Sequence, residues 1–119
     1  MGVFQAQFFD GNNQCVTVDH VAPGGGRASG EVVPLATNCL IVHTAIEPNK
    51  LGAGSVAGGT YIVHKESADV FADGAKVWWD NTNNRGETTD GGGTNKFMGY
   101  AVGAFGNGTT TMKVNHARA

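Results

Sequence analysis

Between Gly58 and Asp80 the chain alternates like a strand, stops at a turn and alternates again: GGTYIVHKESADVFADGAKVWWD. Tyr61-Ile62-Val63 is aromatic and β-branched, a composition that fits a pleated, half-buried surface. Asp73-Gly74 is turn chemistry, because glycine takes backbone angles that other residues resist. Ala75 to Asp80 then resumes a period of two. Strand side chains point alternately to opposite faces, so Ala75, Val77 and Trp79 share one side and Lys76, Trp78 and Asp80 the other. A core accounts for Trp79, whereas Trp78 falls among charged neighbours and needs a cover of its own. The two runs and their turn are expected to form a hairpin.

The same period recurs elsewhere. Phe4, Ala6 and Phe8 alternate with Gln5 and Gln7 in a strand from Val3 to Phe9, closed by the turn Asp10-Gly11-Asn12-Asn13. Cys15 to Val21 is the next strand, and Glu31-Val32-Val33 is a short one that Pro34 confines to an edge or a strand end. Cys39-Leu40-Ile41-Val42 is apolar without a break, which demands cover on both faces, from inside the fold or from another subunit. Pro48 to Gly54 reads as a connecting loop. Asn81 to Gly93 is turn chemistry, interrupted by Glu87-Thr88-Thr89 as a brief strand. From Phe97 to Phe105, Phe97, Gly99, Ala101, Gly103 and Phe105 share one face and Met98, Tyr100 and Val102 the other. The two strand glycines, Gly99 and Gly103, leave room for a neighbouring backbone or ring. Gly106-Asn107-Gly108 is a hairpin turn, and Thr109 to Asn115 closes the chain around Met112 and Val114.

No stretch carries the 3.6-residue period of a helix, although Glu66 to Ala72 suits one helical turn. About eight short strands at even spacing predict a single all-β domain over residues 1–119, a small sandwich, jelly-roll-like or barrel fold. Composition agrees. Nineteen glycines and a charged fraction of 15% suit a turn-rich β domain, while 40% hydrophobic residues and a net charge of −2 argue against disorder. A chain of this size buries roughly two-thirds of its unfolded surface.

Charge and motifs exclude several functions. The eight lysines and arginines form no basic stripe, which speaks against a nucleic-acid surface. No apolar segment approaches the roughly 20 residues of a membrane span. Met1-Gly2-Val3-Phe4-Gln5 lacks a positive region followed by an apolar run, so folding in a cytoplasm is expected, and with it two unpaired thiols at Cys15 and Cys39. Gly24 to Gly26 and Gly91 to Gly93 are followed by Arg27-Ala28 and Thr94-Asn95, not by the Lys and Ser or Thr of a phosphate-binding loop. His20, His43, His64 and His116 sit in or beside four different strands, without zinc spacing. Asp80 to Asn84 places oxygen ligands like a calcium loop, but Arg85 stands where that loop needs glycine. Asp69, Asp73, Asp80, Glu87 and Asp90 stand beside turn residues, where carboxylates serve the backbone. No catalytic, cofactor-binding or metal-binding residues are expected, and the chain does not read as an enzyme.

What remains is apolar surplus: Trp78, the Cys39 to Val42 run, and the non-core face of Phe97 to Phe105. Interfaces are rich in aromatics and poor in charge. Trp78, Trp79, Tyr100, Phe4, Phe8, Leu40 and Val42 are therefore the expected anchors of core or interface.

The stretch Ala68 to Asp80 also resembles the best-preserved segment of a family of small tailed-phage head proteins. In that family an extended segment leads to x-x-G-x-x-V-Y/W-W/Y-D. A Thr-rich turn, a G-x-A-V/L strand and a closing strand follow, similar here to Glu87-Thr88-Thr89, Gly99-Tyr100-Ala101-Val102 and Met112-Lys113-Val114. The first half is similar only in its apolar opening strand and in Gly30 to Val33. The family comprises capsid decoration or cement proteins, some labelled as RecA-like recombinases, a label at odds with the missing nucleotide loop. The resemblance implies a dimer or trimer on the capsid exterior, assembled in the host cytoplasm and locking major capsid protein subunits together. It implies no cofactor, nucleic acid or membrane. The alternatives are a receptor- or carbohydrate-binding β-sandwich, and an enzyme of DNA metabolism.

Overall fold

The computed structural model describes residues 5–10 and 15–118, with the backbone alone at 7–10. Among the described residues, short alternating runs cut by glycine and Asx turns become ten strands: β1 (Ala6–Asp10), β2 (Val16–Val21), β3 (Val32–Pro34), β4 (Cys39–Ile41), β5 (Leu51–Ala57), β6 (Thr60–His64), β7 (Lys76–Asp80), β8 (Arg85–Glu87), β9 (Lys96–Ala101) and β10 (Thr111–His116). They pair into a six-stranded sheet, β1-β6-β10-β9-β7-β8, and a four-stranded sheet, β2-β5-β4-β3. Every strand pairing is antiparallel. The architecture is all-β and consistent with a sandwich. Glu66 to Ala72 forms turns and an isolated bridge from Phe71 to Phe105, and Gly91–Gly93 is a single 3-10 turn.

Two cores share the β3–β4 hairpin. Val32, Cys39 and Ile41 point into the main core, where they meet Tyr61, Val63, Val77, Trp79, Met98, Met112 and Val114 from the larger sheet. Val33, Leu40 and Val42 point the other way, into a smaller core closed by Ala22, Ile46 and Val56. The unbroken apolar run at Cys39 to Val42 is thus covered on both faces from within the chain.

Three expectations need correction. β6 and β7 do not form a hairpin: β10 and β9 lie between them, because the segment joining them crosses to pair through Phe71 and through Lys65 with Gly86. The stretch expected as a loop at Pro48 to Gly54 runs into a seven-residue strand, β5. Its glycines are there for packing. A Cβ on Gly54 would lie 2.2 Å from Leu40 Cδ2, and one on Gly52 2.6 Å from Ile46 Cγ1.

The third correction concerns β9. Val77 pairs with Gly99 and Trp78 with Phe97, so β9 passes two residues where β7 passes one. This bulge shifts the alternation. Met98 joins Ala101 in the main core, and Phe97 leaves the Gly99 and Ala101 face to stand with Tyr100. β9 ends at Ala101, and Phe105 holds only its bridge to Phe71. The brief strand expected at Glu87 to Thr89 falls slightly earlier, as β8.

Candidate functional site: an aromatic outer face and an apolar groove

Alternation along β7 sends Val77 and Trp79 inward, both fully buried, and leaves Trp78 half-buried on the outer face. There the β9 bulge supplies partners. The Trp78 and Phe97 rings meet edge to face with centroids 6.1 Å apart, and Phe97 and Tyr100 do the same at 5.4 Å. Phe97 is buried at the centre of this row, whereas Tyr100 is 38% exposed. Tyr100 pairs across from Lys76 of β7 on one side and Asn115 of β10 on the other. The outcome is an aromatic ridge on a sheet face whose core needs are already met on the opposite side.

A groove of about 780 Å³ lies on the smaller sheet, between β5 and the 43–47 loop. Strand register puts Thr17 opposite Ser55, Asp19 opposite Ala53 and Val21 opposite Leu51, so these residues share one face. Beyond the larger sheet this face is open: Leu51 is 66% exposed and Val21 61%. The groove's inner end is polar. Tyr61, fully buried, carries its hydroxyl 2.5 Å from His43 Nε2 and 4.0 Å from Cys15 Sγ. Burial pushes the Tyr61 phenol well above its usual range and His43 below its own. Both cysteines are unpaired, and burial raises the Cys39 thiol to about 12, which makes it inert.

Two buried polar groups tie the strands together. Lys65 Nζ donates to the carbonyls of Glu66 (2.8 Å), Thr109 (2.8 Å) and Gly106 (3.3 Å), sealing the 106–109 turn against the end of β6. His116, 2% exposed, donates from Nε2 to Cys39 O at 3.0 Å and so joins the two sheets. Its Nδ1 has no hydrogen-bond partner among the described residues. Burial, foremost, lowers its pKa to about 4. Period-two phase was the available signal for both, since Lys65 follows Tyr61 and Val63, and His116 follows Met112 and Val114.

Of the expected anchors, Trp79, Leu40 and Val42 are core, and Trp78 and Tyr100 stand together on the outer face. Phe4 and the Phe8 side chain lie outside the described residues. Phe97, which sequence reasoning left off the anchor set, links Trp78 to Tyr100. Gly99 does admit a close approach, from within the chain: a Cβ there would sit 2.0 Å from Asn115 O. Asp80 serves its own turn, accepting from Thr82 N at 3.0 Å and from Asn83 N at 3.2 Å. Oxygens of Glu66, Asp69 and Glu87 converge within 4.8 Å, and Arg85 pairs with Glu66 at 3.2 Å and with Glu87 at 2.5 Å. No helix among the described residues is long and apolar enough to cross a membrane.

Packed sheet faces with an aromatic ridge and an open groove define an all-β structural module whose accessible features are surfaces for contact. Residues 12–116 match the family described as phage cement protein. The chain belongs to that family and is a structural protein of the phage capsid. No curated protein and no solved structure matches it.

Proposed function

We propose that the protein assembles as an oligomer on the outside of the phage head, where it holds neighbouring major capsid protein subunits together without catalysing any reaction. The observation that carries this reading is the Trp78–Phe97–Tyr100 ridge, left partly exposed although both cores are filled from within. Aromatic anchors of this kind dominate interface energetics. A head under internal pressure loads many weak contacts at once, and linking them multiplies avidity by about 10²–10⁴ without a strong single site. A carbohydrate-binding role would want an aromatic platform beside polar groups. The ridge, beside Lys76, Asn115 and Glu87, would suit either role, and the match to the phage cement family is what favours the capsid reading.

Co-sedimentation with expanded and unexpanded heads tests the proposal. Saturable binding to expanded heads, weakened in Trp78→Ala, is expected. Absence of saturable binding by the wild-type protein overturns it.

A further inference from the structure

Strand β2 ends the four-stranded sheet, and among the described residues its backbone hydrogen-bonds to no strand but β5. Such an edge is a template for another strand, and proteins blunt it with brevity, proline, charged side chains (lysine above all) or a bulge. The other edges of this fold carry such devices. β3 has three residues, ends in Pro34, and has the Val32 amide taken by Gln5 Oε1 at 2.6 Å. β8 has three residues and is bridged through Gly86 to Lys65. β1 carries a bulge, and the Ala6 amide donates to Gly30 O. β2 has six residues, VTVDHV, with no proline, lysine or glycine and a single charge, Asp19, and its register shift is confined to the Val16–Thr17 step. Val16, Val18 and Val21 are 42%, 40% and 61% exposed.

We infer that the β2 edge pairs antiparallel with the β2 edge of a second copy of this chain, about a twofold axis through Val18. This rests on the oligomer reading above and specifies its surface. A twofold axis perpendicular to the joined sheets requires facing residues to come from the same strand face, so the axis must pass through a residue. At Val18 the whole stretch from Cys15 to Val21 overlaps: Val18 faces Val18, Thr17 faces Asp19, Val16 faces His20 and Cys15 faces Val21. At Asp19 the same overlap would set two carboxylates against each other, which is unfavourable. At Thr17 the strand would overlap only as far as Asp19 and leave Val21 uncovered. The Val18 register also disposes of the most exposed apolar pair. Val21 with its neighbour Leu51 arrives beside Cys15 of the second copy, at the head of that copy's groove.

The test uses the full chain. Sedimentation equilibrium of the wild type should give a dimer or an even multiple of 12.3 kDa. Val18→Lys sets two ammonium groups on the axis and should weaken association at least about ten-fold. Because Val18 is exposed, circular dichroism and the thermal midpoint should stay close to wild type. In a Cys15→Ser background, Val18→Cys should form an intermolecular disulfide far faster than Asp19→Cys, whose sulfurs would lie two positions out of step. A monomer, an odd-numbered assembly, unchanged association in Val18→Lys, or equal cross-linking at the two positions overturns the pairing. Head binding separates the two claims. A monomer that saturates heads defeats the β2 pairing alone, and a dimer that ignores heads defeats the capsid reading alone.

Discussion

The indole of Trp79 is enclosed on all sides, and its Nε1 donates to Asn81 Oδ1 at 3.2 Å, so both its apolar body and its polar edge are satisfied internally. Its neighbour on the other face touches Phe97 edge-on and keeps part of its ring in solvent. On the proposed capsid reading the two positions separate stability from binding. Trp79→Ala is expected to cost about 3–5 kcal/mol in urea unfolding, the range for emptying a large core site. Trp78→Ala forfeits one aromatic pair, about 1 kcal/mol beyond the loss of its partial burial, and should cost less than Trp79→Ala yet lose most of the head binding. Equal destabilisation by the two substitutions would contradict this division. The split between the tryptophans was legible from period two alone. The identity of the cover over Trp78 was not, because Phe97 reaches that face only through an extra residue in β9, and a bulge leaves no mark on simple alternation.

Glycine is what hid β5. Leu-Gly-Ala-Gly-Ser-Val reads as a flexible connection, since glycine has low strand preference and high backbone entropy. In the fold, its missing side chains make the seat for Leu40 and Ile46, and burial of those two residues offsets the entropic cost. The same residue type plays a different part at Gly99, where the neighbour is a backbone oxygen of β10. The difference is testable. Gly54→Ala drives a methyl group into Leu40 and should destabilise by about 1–3 kcal/mol. Pairing it with Leu40→Val should recover part of that loss, a coupling that independent sites do not show. Additive effects of the two changes in equilibrium unfolding would show that Gly54 is not Leu40's seat. Strand existence was thus readable for β2, β6, β7 and β10, whose apolar positions advertise themselves. Pairing was not: nothing local indicates that β6 and β7, close in sequence, are separated by β10 and β9.

The two sheets meet through the main core and through His116, whose imidazole reaches from β10 to the carbonyl of Cys39. That carbonyl can only accept, so Nε2 carries the proton and Nδ1 remains a buried acceptor. Adding a proton there places a charge on a nitrogen with no hydrogen-bond partner among the described residues, surrounded by the Tyr61 ring and core side chains. The folded state therefore holds the pKa near 4 against 6.5 for the free side chain. The sign follows from proton binding. Above pH 6.5 neither state is protonated at this site and its contribution to stability is complete. As pH falls from about 6.5 towards 4 the unfolded chain takes the proton first, so stability declines, by a total of about 3 kcal/mol from this group. Below the folded pKa both states are protonated and the loss levels off. His43, also lowered by burial, adds in the same direction. Comparing wild type with His116→Gln, whose amide preserves a donor without titrating, isolates the term. The urea midpoint of the wild type should fall further between about pH 7.5 and pH 4.5 than that of the variant. An equal fall in both would mean that His116 is no acid-sensitive joint.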